Sequence, residues 1–275
     1  MNPDIRFSAS PVWVASLFEQ ASQSATIARP AAVVQLGSPS VLSHWLLGLI
    51  LHDSLQSYDS YYRSVDSLQQ RYDDSALAIK LSSISSATSI EALCKRGSPI
   101  SGHRGSVRTG DVVVRTENMF SSRFLPPQKD RAQVALKSWF QLRSSPTMNL
   151  ASRDVRLASY LVLLTIHMLR DGNGRLARLL FAADSLQALA DPIEILTLVC
   201  LHRDRGQAFH IAARCAREGD LSMLSACGKE AASFAVDLAG SAIASLERAL
   251  TEGDAQQVDA VSRDLHRLIS VCVRG

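Results

Sequence analysis

Between Arg153 and Leu169 the chain offers a helix almost no water-facing side. Apolar residues fall all round the helical wheel, a pattern that belongs to a helix enclosed by others. Ser159, Tyr160, Thr165 and His167 interrupt its apolar stretch, and the run Leu157–Leu169 is shorter than the roughly 20 residues a bilayer requires. This is therefore the expected central helix of a mainly α fold. Composition agrees: Ala, Leu and Ser are plentiful and aromatic residues make up 6%. Ala and Leu lose little on entering a helix, whereas aromatic and β-branched residues dominate strands.

Helical periodicity predicts further elements on both sides: Trp13–Ser22, Val41–Leu55, a helix from Asp74 to about Leu93, then Lys129–Leu142. After the central helix the pattern stops at Asp171-Gly172 and restarts over Arg175–Leu189. Pro192–Arg203, Gln207–Glu218, Ser222–Ala249 and Ala255–Val273 follow. Gly219 reads as a C-terminal cap and Asp220 as the next N-cap. One segment differs. Val112-Val113-Val114 is a short β-branched run, Thr116-Glu-Asn118 can turn the chain back, and Pro126-Pro127 stops any ladder. A single β-hairpin is expected there, over 108–127.

Net charge is +3, with no block of five like charges, so the clustered basic residues of a nucleic-acid groove are missing and no nucleic-acid partner is expected. Five cysteines, at 94, 200, 215, 227 and 272, include no Cys-x-x-Cys pair. That count points away from a disulfide framework and a structural zinc site, and suits a reducing cytoplasm. No membrane span and no secretory leader are expected. The Ser-rich first 40 residues suit either a secretion signal or a disordered terminus, so delivery into a host cell stays open.

The chemistry concentrates in His167-Met-Leu-Arg-Asp171-Gly172-Asn173-Gly174-Arg175-Leu-Ala-Arg178. Gly172 and Gly174 can take positive φ and leave no Cβ in the way of a ligand. The helix that starts after them points free N–H groups and a positive dipole end at any anion. Arg175 and Arg178 lie three apart on that helix, and their planar forks suit phosphate oxygens. Asp171 would repel bare phosphate unless a divalent cation mediates, and Mg²⁺ is held in this way by one or two carboxylates plus substrate phosphates. His167, with an imidazole pKa of about 6.5 when unperturbed, can accept a proton from an incoming hydroxyl. Each part alone is ordinary, since Asp-Gly and Asn-Gly are common turns. Their joint placement between two helices points to binding and splitting a polyphosphate.

This run resembles the signature of the Fic (filamentation induced by cAMP) family, His-x-Phe-x-Asp/Glu-Gly-Asn-Gly-Arg-x-x-Arg, matching at every position except Leu169, which stands for Phe. The resemblance extends from about Ser85 to Ala239 and implies a Fic-type helical bundle in which the hairpin is the flap, from Arg108-Thr-Gly110 to Pro126-Pro127. It divides the chain into an N-terminal helical extension (1–84), the core (85–239) and C-terminal helices (240–275). It implies a protein adenylyltransferase. His167 would be the base that deprotonates a Ser, Thr or Tyr hydroxyl of a target protein. Asp171 would hold Mg²⁺ against the phosphates of ATP. Gly172, Asn173 and Gly174 would form the anion hole, with Arg175 on the β-phosphate and Arg178 on the γ-phosphate. The flap would register the target segment by strand addition.

Many members of that family carry an inhibitory helix whose glutamate pairs with the second motif arginine. Here Ala87-Thr88-Ser89-Ile90-Glu91-Ala92 is a degenerate form of it, so Glu91 is the expected brake on Arg178. A separate inhibitory partner and a homodimer stay open. So do two other functions: a Fic-like transferase with a different nucleotide or phosphoryl donor, and a non-catalytic interaction module.

Overall fold

A computed structural model of the chain describes residues 6–24, 107–112, 125–170, 173–189, 193–202 and 207–254, with 256, 257 and 260 beyond. Seven helices lie among them: α1 (Pro11–Ser24), α2 (Lys129–Arg143), α3 (Arg153–Ile166), α4 (Asn173–Leu189), α5 (Ile193–Leu201), α6 (Gln207–Arg217) and α7 (Ser222–Glu252). The described residues contain no strand, only an isolated antiparallel bridge between Val107 and Leu169. No described helix is long and apolar enough to cross a membrane.

The apolar run is the central helix, and α1, α2, α4 and α7 pack around it. Ser152 starts it by accepting a hydrogen bond from the Val155 amide, and Asp154 adds negative charge to the first turn, where the dipole favours it. Val155, Ala158, Leu161, Val162 and Ile166 are fully buried. Each buried aliphatic side chain contributes about 1.5–3 kcal/mol, against about 1 kcal/mol net for a typical hydrogen bond, so packing dominates. The polar residues of α3 each meet a neighbour. Ser159 Oγ accepts from Trp139 Nε1 of α2 at 2.9 Å, Tyr160 bonds His202 just past α5, and Thr165 Oγ1 accepts from Arg217 Nε of α6 at 3.2 Å.

Buried charges tie the same helices together. Arg143 of α2 pairs with Asp184 of α4. Arg153 and Arg156 of α3 share Glu194 of α5, with Arg156 Nη2 at 2.6 Å. Burial alone would raise the Glu194 carboxyl, but the two arginines more than offset it and hold it below the usual range. At Asp184 burial prevails over Arg143, and the carboxyl is raised.

The end of α6 follows the expected Gly219 cap, whereas the N-cap of α7 is Leu221 and not the expected Asp220, which lies one residue earlier. Gly219 has φ +105°, its N–H bonds the Ala216 carbonyl, and the Asp220 N–H reaches Cys215. This is the paired closure of a Schellman end. Asp220 Oδ1 then accepts from the Ser222 amide at 2.9 Å. α1 splints this turn. Trp13 Nε1 donates to the Ala216 carbonyl, Gln20 Nε2 to that of Gly219, and Gln20 Oε1 accepts from the Leu221 amide.

Both helix boundaries that flank the bend differ from expectation, and other helix ends shift by one to three residues. The central helix stops at Ile166 rather than Leu169, because Met168 and Leu169 leave it to pair with Arg108 and Val107. The next helix begins at Asn173 rather than Arg175. Of the expected hairpin only the two ends, 108–112 and 125–127, belong to the described residues. The expected helices over 41–55 and 74–93 and most of 255–273 lie outside them.

Candidate active site

Three consecutive residues make the bend at the end of α3. His167 caps the helix in the left-handed conformation, φ 52° and ψ 55°, with its N–H on the Leu163 carbonyl at 3.1 Å. It is the one non-glycine residue with positive φ among those described. Such a residue costs about 1–3 kcal/mol, and it persists only where its surroundings over-determine it. Here they do. The Arg108 amide donates to the Met168 carbonyl at 2.9 Å, and Leu169, fully buried, bridges to Val107. Leu169 thus packs into the core.

Asn173 completes the bend from the other side. Its Oδ1 accepts from the Leu169 amide at 2.7 Å and its Nδ2 donates to the Leu169 carbonyl at 2.8 Å. Both ends of the carboxamide therefore serve the backbone, and the side chain is 5% exposed. In this structure the side chain shapes the turn. Gly174 lies in the first turn of α4 without a positive φ, so among the described residues of this stretch the left-handed position is His167 and not Gly174. The first amides of α4 have no acceptor within their own helix.

Arg178 lies further along α4, partly buried, and burial lowers its guanidinium pKa to about 10. It remains charged at neutral pH. Burial, helped by the charges of Arg178 and His210, pushes the His202 imidazole down to about 3. His202 is thus neutral, and its Nε2 lies 2.8 Å from the Tyr160 hydroxyl, against the Phe209 ring at 4.6 Å. Burial raises the Tyr160 phenol. Arg217 is likewise lowered to about 10 by burial.

His167 stands at the C-cap of α3, and Asn173, Gly174 and Arg178 lie on the following helix. Asp171, Gly172 and Glu91 lie outside the described residues, and Arg175 is described in its backbone alone. Among the described residues no group of three or more His, Cys, Asp or Glu side chains converges as a metal site. A magnesium ion shared with a nucleotide asks less of the protein, since one carboxylate with substrate phosphates can hold it.

Sequence reasoning passed over two parts of this region. Arg108 was visible only as the residue ahead of Thr109-Gly110. The Tyr160–His202 pair joins residues 42 apart, and no local spacing marks it.

No protein-family model matches the chain, and no curated protein matches it either.

Proposed function

We propose that this chain is a Fic-type protein adenylyltransferase, moving AMP from ATP to a hydroxyl side chain of another protein. The observation that carries the reading is the strained bend. A histidine is held in the left-handed region at a helix end, directly ahead of the N-terminus of a second helix that bears Arg178. Strain of this kind concentrates at functional sites. A helix N-terminus stabilises anions, and the planar fork of a partly buried arginine on the same helix suits phosphate oxygens.

In this reading the His167 imidazole takes the proton of a Ser, Thr or Tyr hydroxyl. The hydroxyl oxygen forms a bond to the α-phosphorus, the bond from that phosphorus to the α,β-bridging oxygen breaks, and pyrophosphate leaves. The amides of Asn173 and Gly174 stabilise charge on the phosphates, while Arg175 and Arg178 hold the β- and γ-phosphates. Asp171 would hold Mg²⁺, which neutralises phosphate charge when bound. The Asn173 carboxamide acts at one remove, keeping Leu169 and the bend in register. The hairpin flap over 108–127 and the Glu91 restraint on Arg178 belong to the same proposal.

The test is mass spectrometry of a lysate incubated with wild-type or His167→Ala protein and Mg²⁺-ATP. AMP adducts on hydroxyl side chains with the wild type alone support the reading. Label transferred from the γ-phosphate instead of the α-phosphate would replace it with phosphoryl transfer. Absence of both, together with no magnesium-dependent ATP binding by calorimetry, would leave an interaction module.

A further inference from the structure

Arg108 is 1% exposed, and its environment is a poor one for a charge. Nη2 donates to the carbonyls of Pro127 at 2.6 Å and Ile166 at 3.3 Å, while Nε and Nη1 have no hydrogen-bond partner among the described residues. A buried guanidinium with part of its fork unsatisfied is costly, and an apolar side chain of similar volume would fill the space more cheaply. Stability alone does not account for it.

Its position does. Ile166 is the last residue of α3, and its carbonyl is among the terminal acceptors that lack an intrahelical donor. A cation there also suits the negative end of the helix dipole. The next residue is His167. Through its own amide the same arginine holds the Met168 carbonyl, so one residue grips the chain on both sides of the left-handed position. Its third hold, on Pro127, reaches the stretch just ahead of α2. That stretch is braced independently: Arg6 Nη1 lies 3.2 Å from Asp111 Oδ2 and 3.3 Å from the Pro126 carbonyl, and the Phe7 amide bonds the Leu125 carbonyl.

We propose that Arg108 is a positioning residue that clamps the His167 bend, joining the Leu125–Pro127 stretch to the end of α3. The inference about turnover rests on the adenylyltransferase reading; the clamp itself does not. A displacement of 125–127, by a docking protein segment or by loss of the Arg6 brace, passes through Arg108 to the residue proposed as the base. Lysine is not equivalent, because the rigid guanidinium plane fixes Nη2 between the carbonyls of Pro127 and Ile166, whereas an ammonium on a flexible stem rotates freely and is more strongly hydrated.

The experiment compares wild type, Arg108→Lys and Arg108→Ala by hydrogen–deuterium exchange and by Mg²⁺-ATP-dependent pyrophosphate release. Amides of 167–170 should exchange about tenfold faster or more in both variants, with α7 unchanged. The kcat should fall at least about tenfold while the KM for ATP stays within about twofold. Added guanidinium ion should restore part of the kcat of Arg108→Ala without altering its melting temperature. Wild-type exchange at 167–170 in Arg108→Lys would overturn the clamp, as would faster exchange with undiminished turnover. If Arg108→Ala does not fold, the lysine variant decides. If the wild type releases no pyrophosphate, the transferase reading fails, and the exchange rates still decide the clamp.

Discussion

The carboxamide of Asn173 grips Leu169 by both backbone groups, accepting its N–H at 2.7 Å and donating to its carbonyl at 2.8 Å. The two residues enclose the turn between α3 and α4, so this one side chain fixes where the second helix starts. Asn173→Ala should cost about 2–4 kcal/mol in urea unfolding, since it strands a buried donor and acceptor together. Asn173→Asp should do no better, because a carboxylate facing the Leu169 carbonyl replaces a hydrogen bond by repulsion. A stability equal to wild type in Asn173→Ala would show that the side chain serves some other partner.

The backbone at His167 and its side chain make separable demands. His167→Gly relieves the left-handed strain and should be about 1 kcal/mol more stable than His167→Ala, which keeps it. Both should lose pyrophosphate release entirely. Thermal melts beside turnover assays separate the two effects.

His202 makes the fold sensitive to mild acid. Its unfolded imidazole titrates near 6.5, whereas in the fold burial, Arg178 and His210 push it down to about 3. Between those values the unfolded chain binds the extra proton, so stability is present above about pH 6.5 and lost as pH falls toward 3. His202→Gln keeps a hydrogen-bonding group for Tyr160 and does not titrate. Relative to that variant, wild type should lose up to about 1.4 kcal/mol per pH unit below pH 6, seen as diverging melting temperatures between pH 6.5 and 5. Parallel melting curves would remove His202 as the cause.

Glu194 should show its effect at lower pH. Its folded pKa is depressed, so its contribution is full above the unfolded carboxyl value of about 4.3 and disappears as pH falls through the folded one. Glu194→Gln leaves Arg156 buried without its carboxylate and should cost about 3–5 kcal/mol at pH 7. The deficit should shrink as the pH drops below 4, measured by denaturant midpoints.

A Cβ on Gly228 would lie 2.3 Å from Leu157 Cδ1, so α7 passes α3 too closely for a side chain there. Gly228→Ala should destabilise by about 1–2 kcal/mol as Leu157 is forced from its rotamer. Adding Leu157→Ala should recover part of the Gly228→Ala penalty in a double-mutant cycle, while strictly additive losses would place the cost elsewhere.

The helices were readable from the sequence because their apolar periodicity is strong, and the Gly219 cap because its chemistry is local. The end of α3 was not. Residues 166–169 are Ile, His, Met and Leu, which read as more helix, and the reason they leave it is a bridge to Val107 some 60 residues earlier. The same distance hid the partners of Arg143, Arg153 and Arg156, whose carboxylates lie 38–41 residues away. At the candidate site, residue types were legible but their use was not. Asn173 stood out as part of the signature run, and only its pairing with Leu169 reveals that the amide serves the backbone.

The helix nearest the start of the chain has a practical consequence for anyone choosing expression boundaries. Val14, Leu17, Phe18 and Ala21 are wholly covered, and Trp13 and Gln20 staple the α6–α7 turn. A fragment begun at residue 85 would strip that greasy strip from its seat and leave α2, α3 and the late turn raw to water. Shortened versions made for crystallisation or assay must therefore retain Arg6–Ser24, supplied in the same chain or added back as a peptide.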